Sequence, residues 1–212
     1  MKILVIDDNP LNQDSARQTL GDHDVNVVGT HEDAHEVLVK SEPYDAILCD
    51  LLMPAGEMTQ GPEGEKYVGQ EMPVGFGLAL LAVLRGAKLV LVATATNHHD
   101  HPASAMFDDF RETVKPKGAR SGYGTAAPHC FSIDGARVAF SHAIMTFVDG
   151  SVCPDCNGSG EKDSCYCTRD SGRPKPDCSG CGGKGRKCWK CQNSGKQRGK
   201  DWGAMLQDLM AV

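Results

Sequence analysis

Apolar and polar positions along the chain alternate between two periods. Residues 2–7 (KILVID) are an apolar run closed by an aspartate, the pattern of a strand covered on both faces. Residues 10–20 (PLNQDSARQTL) follow with helical spacing, with Asn9 as the expected cap and Pro10 at the first helical position. The rhythm then repeats. Residues 24–30 predict a strand, 31–40 a helix, 44–50 (YDAILCD) a strand, 76–86 an apolar helix, 88–95 (KLVLVATA) a strand and 102–112 a helix opened by proline. Residues 54–73, rich in Gly, Pro and Glu, and residues 114–134 read as loops. Residues 136–142 (ARVAFSH) predict a fifth strand. Residues 201–211 predict a closing helix with Trp202, Met205, Leu206 and Leu209 on one face.

Strands alternating with helices predict an α/β fold with a doubly wound, five-stranded parallel sheet. The helix missing after strand five reappears only after a cysteine-rich stretch. Its apolar face needs a core, so that stretch is expected to be an insertion rather than a separate tail. The expected boundaries are residues 1–149 with 199–212 for the α/β domain and 150–198 for the insertion.

Composition changes this picture in one respect. The chain has 212 residues, 40% hydrophobic and 24% charged, which is ordinary for a globular protein. No stretch approaches the roughly 18 consecutive apolar residues of a membrane span. The opening MKILVIDDNP reads as a strand and not as a signal peptide, so the expected location is the cytoplasm. Eight of the ten cysteines fall between positions 153 and 191. In a reducing compartment that density points to metal ligation rather than disulfides.

Those eight form the pairs Cys153/Cys156, Cys165/Cys167, Cys178/Cys181 and Cys188/Cys191. A CxxC turn puts two thiolates on one side of a tetrahedral zinc, and a second turn completes it. Disulfides, a redox site and an iron–sulfur cluster are the alternatives. Glycines follow three of the pairs and permit tight turns whose N–H groups bond sulfur. The repeated CxxCxGxG at 153–160 and 178–185 resembles the DnaJ cysteine-rich domain. Residues 188–195 depart from it at Asn193, and Cys165-Tyr166-Cys167 has one spacer residue in place of two. The resemblance implies two structural zinc ions. One would be held by Cys153, Cys156, Cys188 and Cys191, the other by Cys165, Cys167, Cys178 and Cys181. Cys49 and Cys130 stand apart and receive no role.

Charge is uneven. Residues 151–200 hold eleven Lys/Arg against five Asp/Glu, and the remainder eleven against twenty-three. A basic segment on an acidic body suggests nucleic acid. With eight thiolates and two zinc ions, however, the segment would carry about +2, a weak footprint for a phosphate backbone.

The remaining chemistry lies at the strand ends. In an open parallel sheet, ligands bind beyond the carboxyl ends of the strands. Asp7 and Asp8 close the first strand and Asp50 the third. Three converging carboxylates repel one another unless a cation stands among them, and an oxygen-rich site suits Mg2+. The Asp7-Asp8 pair, the run Asp50-Leu51-Leu52-Met53-Pro54, and Thr94-Ala95 together resemble a response-regulator receiver domain, over residues 1–112 and 200–211. The resemblance implies the flavodoxin-like strand order 2-1-3-4-5. It implies Asp50 as phosphoacceptor, Asp7, Asp8, Asp50 and the Leu52 carbonyl as Mg2+ ligands, and Thr94 as a phosphoryl contact. It also requires a lysine. Lys115, followed by Pro116, has the expected dipeptide, although FRETV before it is a poor buried strand. Lys200, just before the last helix, reaches the site only if the cysteine segment is an excursion. His98, His99 and His101 lie past the fourth strand on the same edge, where they would contact the site or belong to a helix-capping turn.

Two functional expectations follow. The first is a phosphorelay receiver, phosphorylated on Asp50 by a sensor kinase or small phosphodonor, with output through protein contacts of the zinc segment. Its only chemistry would be self-catalysed phosphoryl transfer to, and hydrolysis from, Asp50. The second is a zinc-dependent protein-binding or chaperone-like adaptor on a scaffold that is not phosphorylated. His101-Pro102-Ala103 is not the His-Pro-Asp motif of a full co-chaperone.

Overall fold

The computed structural model describes residues 1–57, 61–95, 105, 129–154, 161–162, 186–187, 194 and 196–211. The chain divides into two compact units, residues 1–144 with 200–212, and residues 145–199.

In the first unit, six strands form one sheet: β1 Lys2–Ile6, β2 Asp24–Val28, β3 Ala46–Asp50, β4 Leu89–Thr94, β5 His129–Ile133 and β6 Ala136–His142. Their order is β2-β1-β3-β4-β6-β5. Every pair is parallel except β5 with β6. The four helices of ten or more residues among the described residues are α1 Pro10–Thr19, α2 His31–Lys40, α3 Val74–Leu84 and α4 Trp202–Ala211. The fold is α/β with a mostly parallel central sheet, compatible with a flavodoxin-like arrangement.

The sheet corrects the expectation of five parallel strands in the order 2-1-3-4-5. The sixth strand, β5, lies within the stretch read as loop and pairs antiparallel along the edge of β6. Its signal is Asp134-Gly135, where both residues have positive φ, 49° and 78°. A two-residue turn of that kind joins antiparallel strands with the correct twist. HCFSI and ARVAFSH flank it as the two arms of a hairpin.

Alternation along the strands sorts the core into two layers. Leu4, Ile6, Ile47, Val90, Val92 and Phe140 face α2 and α3. Ile3, Val5, Leu48, Leu91 and Ala139 face α1 and α4. A period of two sends successive side chains to opposite faces, so both faces must be covered, and both are. Local signals set the helix starts. The Asn9 side chain accepts from the Leu11 N–H at 3.0 Å, and the Thr30 hydroxyl accepts from the Asp33 N–H at 3.1 Å.

The long segment after β3 is more ordered than a Gly- and Pro-rich composition predicts. Met53–Pro54 pairs antiparallel with Glu71–Met72, and helical turns occupy Gly61–Gly64 and Glu65–Tyr67. The segment is tied to the start of α2. The Glu57 N–H donates to Glu32 Oε1 at 2.6 Å and the Gly56 N–H to His31 Nδ1 at 3.3 Å.

The strand Met145–Phe147 pairs with the strand Arg198–Lys200. Gln197 closes the base of this ribbon. Its N–H donates to the Ser151 hydroxyl at 2.9 Å, and its carbonyl accepts from the Val148 N–H at 3.0 Å. Lys196 pairs with Asp149. A short antiparallel pair joins Glu161–Lys162 to Arg186–Lys187. Cys153 is buried. The other seven cysteines of the segment, and with them most of both expected zinc sites, lie outside the described residues. The expected helix at 102–112, apart from Ala105, lies outside them too.

Candidate functional site

The strand register brings the acidic residues together. Ile6 is level with Cys49 across β1 and β3, so Asp7 and Asp50 leave the sheet at the same height. Carboxylate oxygens of Asp7, Asp8 and Asp50 lie within 4.8 Å of one another. Asp50 is in turn level with Ala93 on β4, which puts Thr94 at the same carboxyl edge, 5% exposed. The Thr94 carbonyl accepts from the Ala143 N–H at 2.8 Å. Leu52, two residues beyond Asp50, is half-buried against the core.

A lysine completes the cluster, and it is Lys200. Its Nζ lies 2.7 Å from Asp7 Oδ2 and 2.8 Å from Asp50 Oδ1, with side chains 1% exposed for Lys200, 0% for Asp7 and 13% for Asp50. The same ammonium sits 5.1 Å from the centre of the Trp202 ring. Lys115, His98, His99 and His101 lie outside the described residues.

The three aspartates are not equivalent. Asp7 Oδ1 accepts from the Asn9 N–H at 2.9 Å and from Asn12 Nδ2 at 3.1 Å. Its Oδ2 accepts from Asn12 Nδ2 at 3.1 Å and from Lys200 at 2.7 Å. A carboxylate offers about four acceptor positions, and here all are taken. Asp7 therefore anchors the lysine and the turn before α1. Asp8 is exposed and Asp50 partly open, so these two carry the carboxylate oxygens left open to solvent.

Burial raises the Asp50 pKa to about 6; Lys200 opposes the rise and Asp7 adds to it. Asp8 is raised as well, by burial first and then by Asp7. Three carboxylates against one ammonium leave an excess of negative charge, and oxygen donors of this kind suit a hard divalent cation. The residues present therefore fit Mg2+.

Two neighbours shape the site without titrating in it. Cys49 Sγ donates to the Asp50 carbonyl at 3.1 Å, and burial pushes its thiol well up, so it is an inert packing group. Gly75, at the start of α3, has no room for a side chain. A Cβ there would lie 1.9 Å from the Asp50 carbonyl oxygen. That contact lets α3 begin directly against the end of β3, with the Gly75 N–H donating to the Leu51 carbonyl at 3.1 Å.

Sequence reasoning missed Asn12 and Ser15. Both are polar and both are buried on α1. Their signal was present in PLNQDSARQTL, where polar residues three apart occupy a face that an ordinary amphipathic helix would fill with apolar ones.

The fold and the side chains define an α/β unit with a carboxylate–lysine cluster at the carboxyl edge of its sheet. No protein-family model, curated protein or solved structure matches the chain.

Proposed function

We propose that the first unit is a receiver that accepts a phosphoryl group on Asp50. The observation that carries this reading is the Lys200 ammonium standing between Asp7 and Asp50, beside the exposed carboxylate of Asp8. An Asp50 oxygen attacks the phosphorus of a sensor kinase phosphohistidine or a small phosphodonor. The bond from phosphorus to the donor breaks, its electrons leave with the donor, and an acyl phosphate forms on Asp50. Lys200 follows the charge, pairing with a phosphoryl oxygen once Asp50 is phosphorylated. Thr94, on the adjacent strand end, would contact a second oxygen. Asp8 and Asp50, with the Leu52 carbonyl, would hold Mg2+, and Asp7 would act on it through water. When bound, the metal supplies positive charge that offsets the repulsion between an anionic donor and the carboxylates.

The cysteine segment is, in this reading, the output arm. Its eight thiolates bind two structural zinc ions, and it acts on a protein partner. No helix among the described residues is long and apolar enough to cross a membrane.

The test is incubation of the full chain with Mg2+ and acetyl phosphate or beryllofluoride, followed by mass spectrometry. A Mg2+-dependent adduct that disappears in Asp50→Asn is the expected result. An adduct that survives that substitution, or none in the wild-type chain, would leave the zinc-dependent adaptor as the reading to pursue. Elemental analysis should find about two zinc ions per chain. Iron, or oxidised thiols without metal, would sink the zinc assignment.

A further inference from the structure

Lys200 reaches the site without belonging to the six-stranded sheet. In sequence it is separated from β6 by the whole second unit. Its backbone is nevertheless tied to the chain just past β6, where the Asp201 N–H donates to the Ile144 carbonyl at 2.7 Å. Helix α1 holds its backbone as well. The Lys200 N–H donates to Asn12 Oδ1 at 3.1 Å, and the Lys200 carbonyl accepts from the Ser15 hydroxyl at 2.6 Å. Asn12 serves twice more. Its Nδ2 lies 3.1 Å from both Asp7 oxygens, and its carbonyl accepts from the Trp202 indole N–H at 3.2 Å.

Burying an amide and a hydroxyl on a helix face is costly unless each is bonded. Here each is, and no buried side-chain nitrogen or oxygen among the described residues lacks a partner. Asn12 and Ser15 lie three apart, on the same side of α1. They grip the two peptide groups that flank one α-carbon, and that α-carbon carries the ammonium.

We propose that Asn12 and Ser15 are positioning residues that fix the Lys200 backbone and so set its ammonium between Asp7 and Asp50. The proposal rests on the reading of Asp50 as phosphoacceptor for its role in the reaction, but the placement itself can be measured without phosphorylation. The register of the lysine comes from α1, which follows the aspartate pair directly in sequence. The bond from the Asp201 N–H to the Ile144 carbonyl, just past β6, supplies the rest of that register. A long excursion can thus interrupt the chain there while the site stays intact.

The test compares full-length Ser15→Ala, Ser15→Thr and Asn12→Ala with wild type, after thermal melting has shown each to be folded. Reductive methylation with formaldehyde and borohydride, read by mass spectrometry at Lys200, reports the placement. Wild-type Lys200 should react slowly. Ser15→Ala should react about tenfold faster, as loss of one buried hydrogen bond makes local opening easier. Asn12→Ala should react faster still, and Ser15→Thr, which keeps the hydroxyl, should return toward wild type. Mg2+ titration separates positioning from general loosening. Displacing a positive charge from among three carboxylates should tighten Mg2+ binding severalfold, whereas loosening of the cluster would weaken it.

Folded variants whose Lys200 stays as protected as in wild type, or in which Mg2+ binds more weakly, would overturn the proposal. If Asn12→Ala does not fold, Ser15→Ala, which deletes one hydroxyl, carries the test. An Asp50 adduct in wild type with Lys200 unaffected by the variants would overturn the positioning and keep the receiver. Deprotected Lys200 in the variants with no adduct on wild-type Asp50 would uphold the positioning and overturn the receiver.

Discussion

The two faces of the central sheet are covered in different ways. On one, α3 buries Gly75, Leu78, Ala79, Ala82 and Val83, all apolar. On the other, α1 buries Asn12, Ser15 and Ala16. Only Ala16 and the following Leu20 join the apolar layer there; Trp202, Met205, Leu206 and Leu209 of α4 supply most of the rest. The α3 face gains stability from area removed from water. The α1 face gives up part of that area and uses the space to hold a lysine against two aspartates. A helix that buries polar groups at core positions, each with a partner, is therefore a pointer to chemistry at its end.

Lys200→Ala should break the comparison most sharply. It leaves Asp7 and Asp50 buried without their cation, and removing one member of such a cluster costs about 3–5 kcal/mol. Denaturant unfolding at pH 7 measures it, and Mg2+ should recover part of the loss. Leu78→Ala, on the apolar face, should cost about 2–5 kcal/mol. Its Lys200 methylation rate and Mg2+ affinity should stay as in wild type. A change in either would mean that the two faces are coupled.

Asp50, which the α1 face serves through Lys200, carries its own acid–base signature. The folded chain keeps the Asp50 proton to about pH 6, against 3.8 for an ordinary aspartate. The stability that this contributes is complete below about pH 4 and is lost as pH rises through 6. The loss should reach at most about 3 kcal/mol. Melting across pH 4–7 without divalent cation should show it, with Mg2+ or Asp50→Asn flattening the curve.

Smaller effects separate two glycines of α3. Gly75→Ala drives a methyl into the Asp50 carbonyl and should cost about 1–3 kcal/mol. Gly77 faces open space, with nothing within 4 Å of an added Cβ. Gly77→Ala should be neutral or stabilise by about 0.5–1 kcal/mol through the unfolded chain. Equal effects at the two positions, in melting experiments, would remove the argument that α3 is seated directly on the site.

Much of this was legible in the residues. The runs KILVI, AILCD and LVLVAT read as strands covered on both faces, and the aspartates that close the first two marked the candidate site. The first arm of the hairpin, at 129–133, escaped because HCFSI is short and sits beside a long polar stretch. Its Asp134-Gly135 turn was the available signal. The order within residues 53–73 was hidden for another reason. It depends on contacts with His31 and Glu32, which lie more than twenty positions earlier in the chain.

The sequence by itself determined the alternation of elements, the α/β class and the identity of the three aspartates, because strand and helix periods and strand-end carboxylates are local patterns. It could not choose between Lys115 and Lys200. That choice depends on which backbone is held level with Asp50, and the holding groups, Asn12 and Ser15, lie 188 and 185 residues from Lys200. Only the tertiary structure brings them together, because burying α4 against α1 fixes where Lys200, two residues before that helix, must stand.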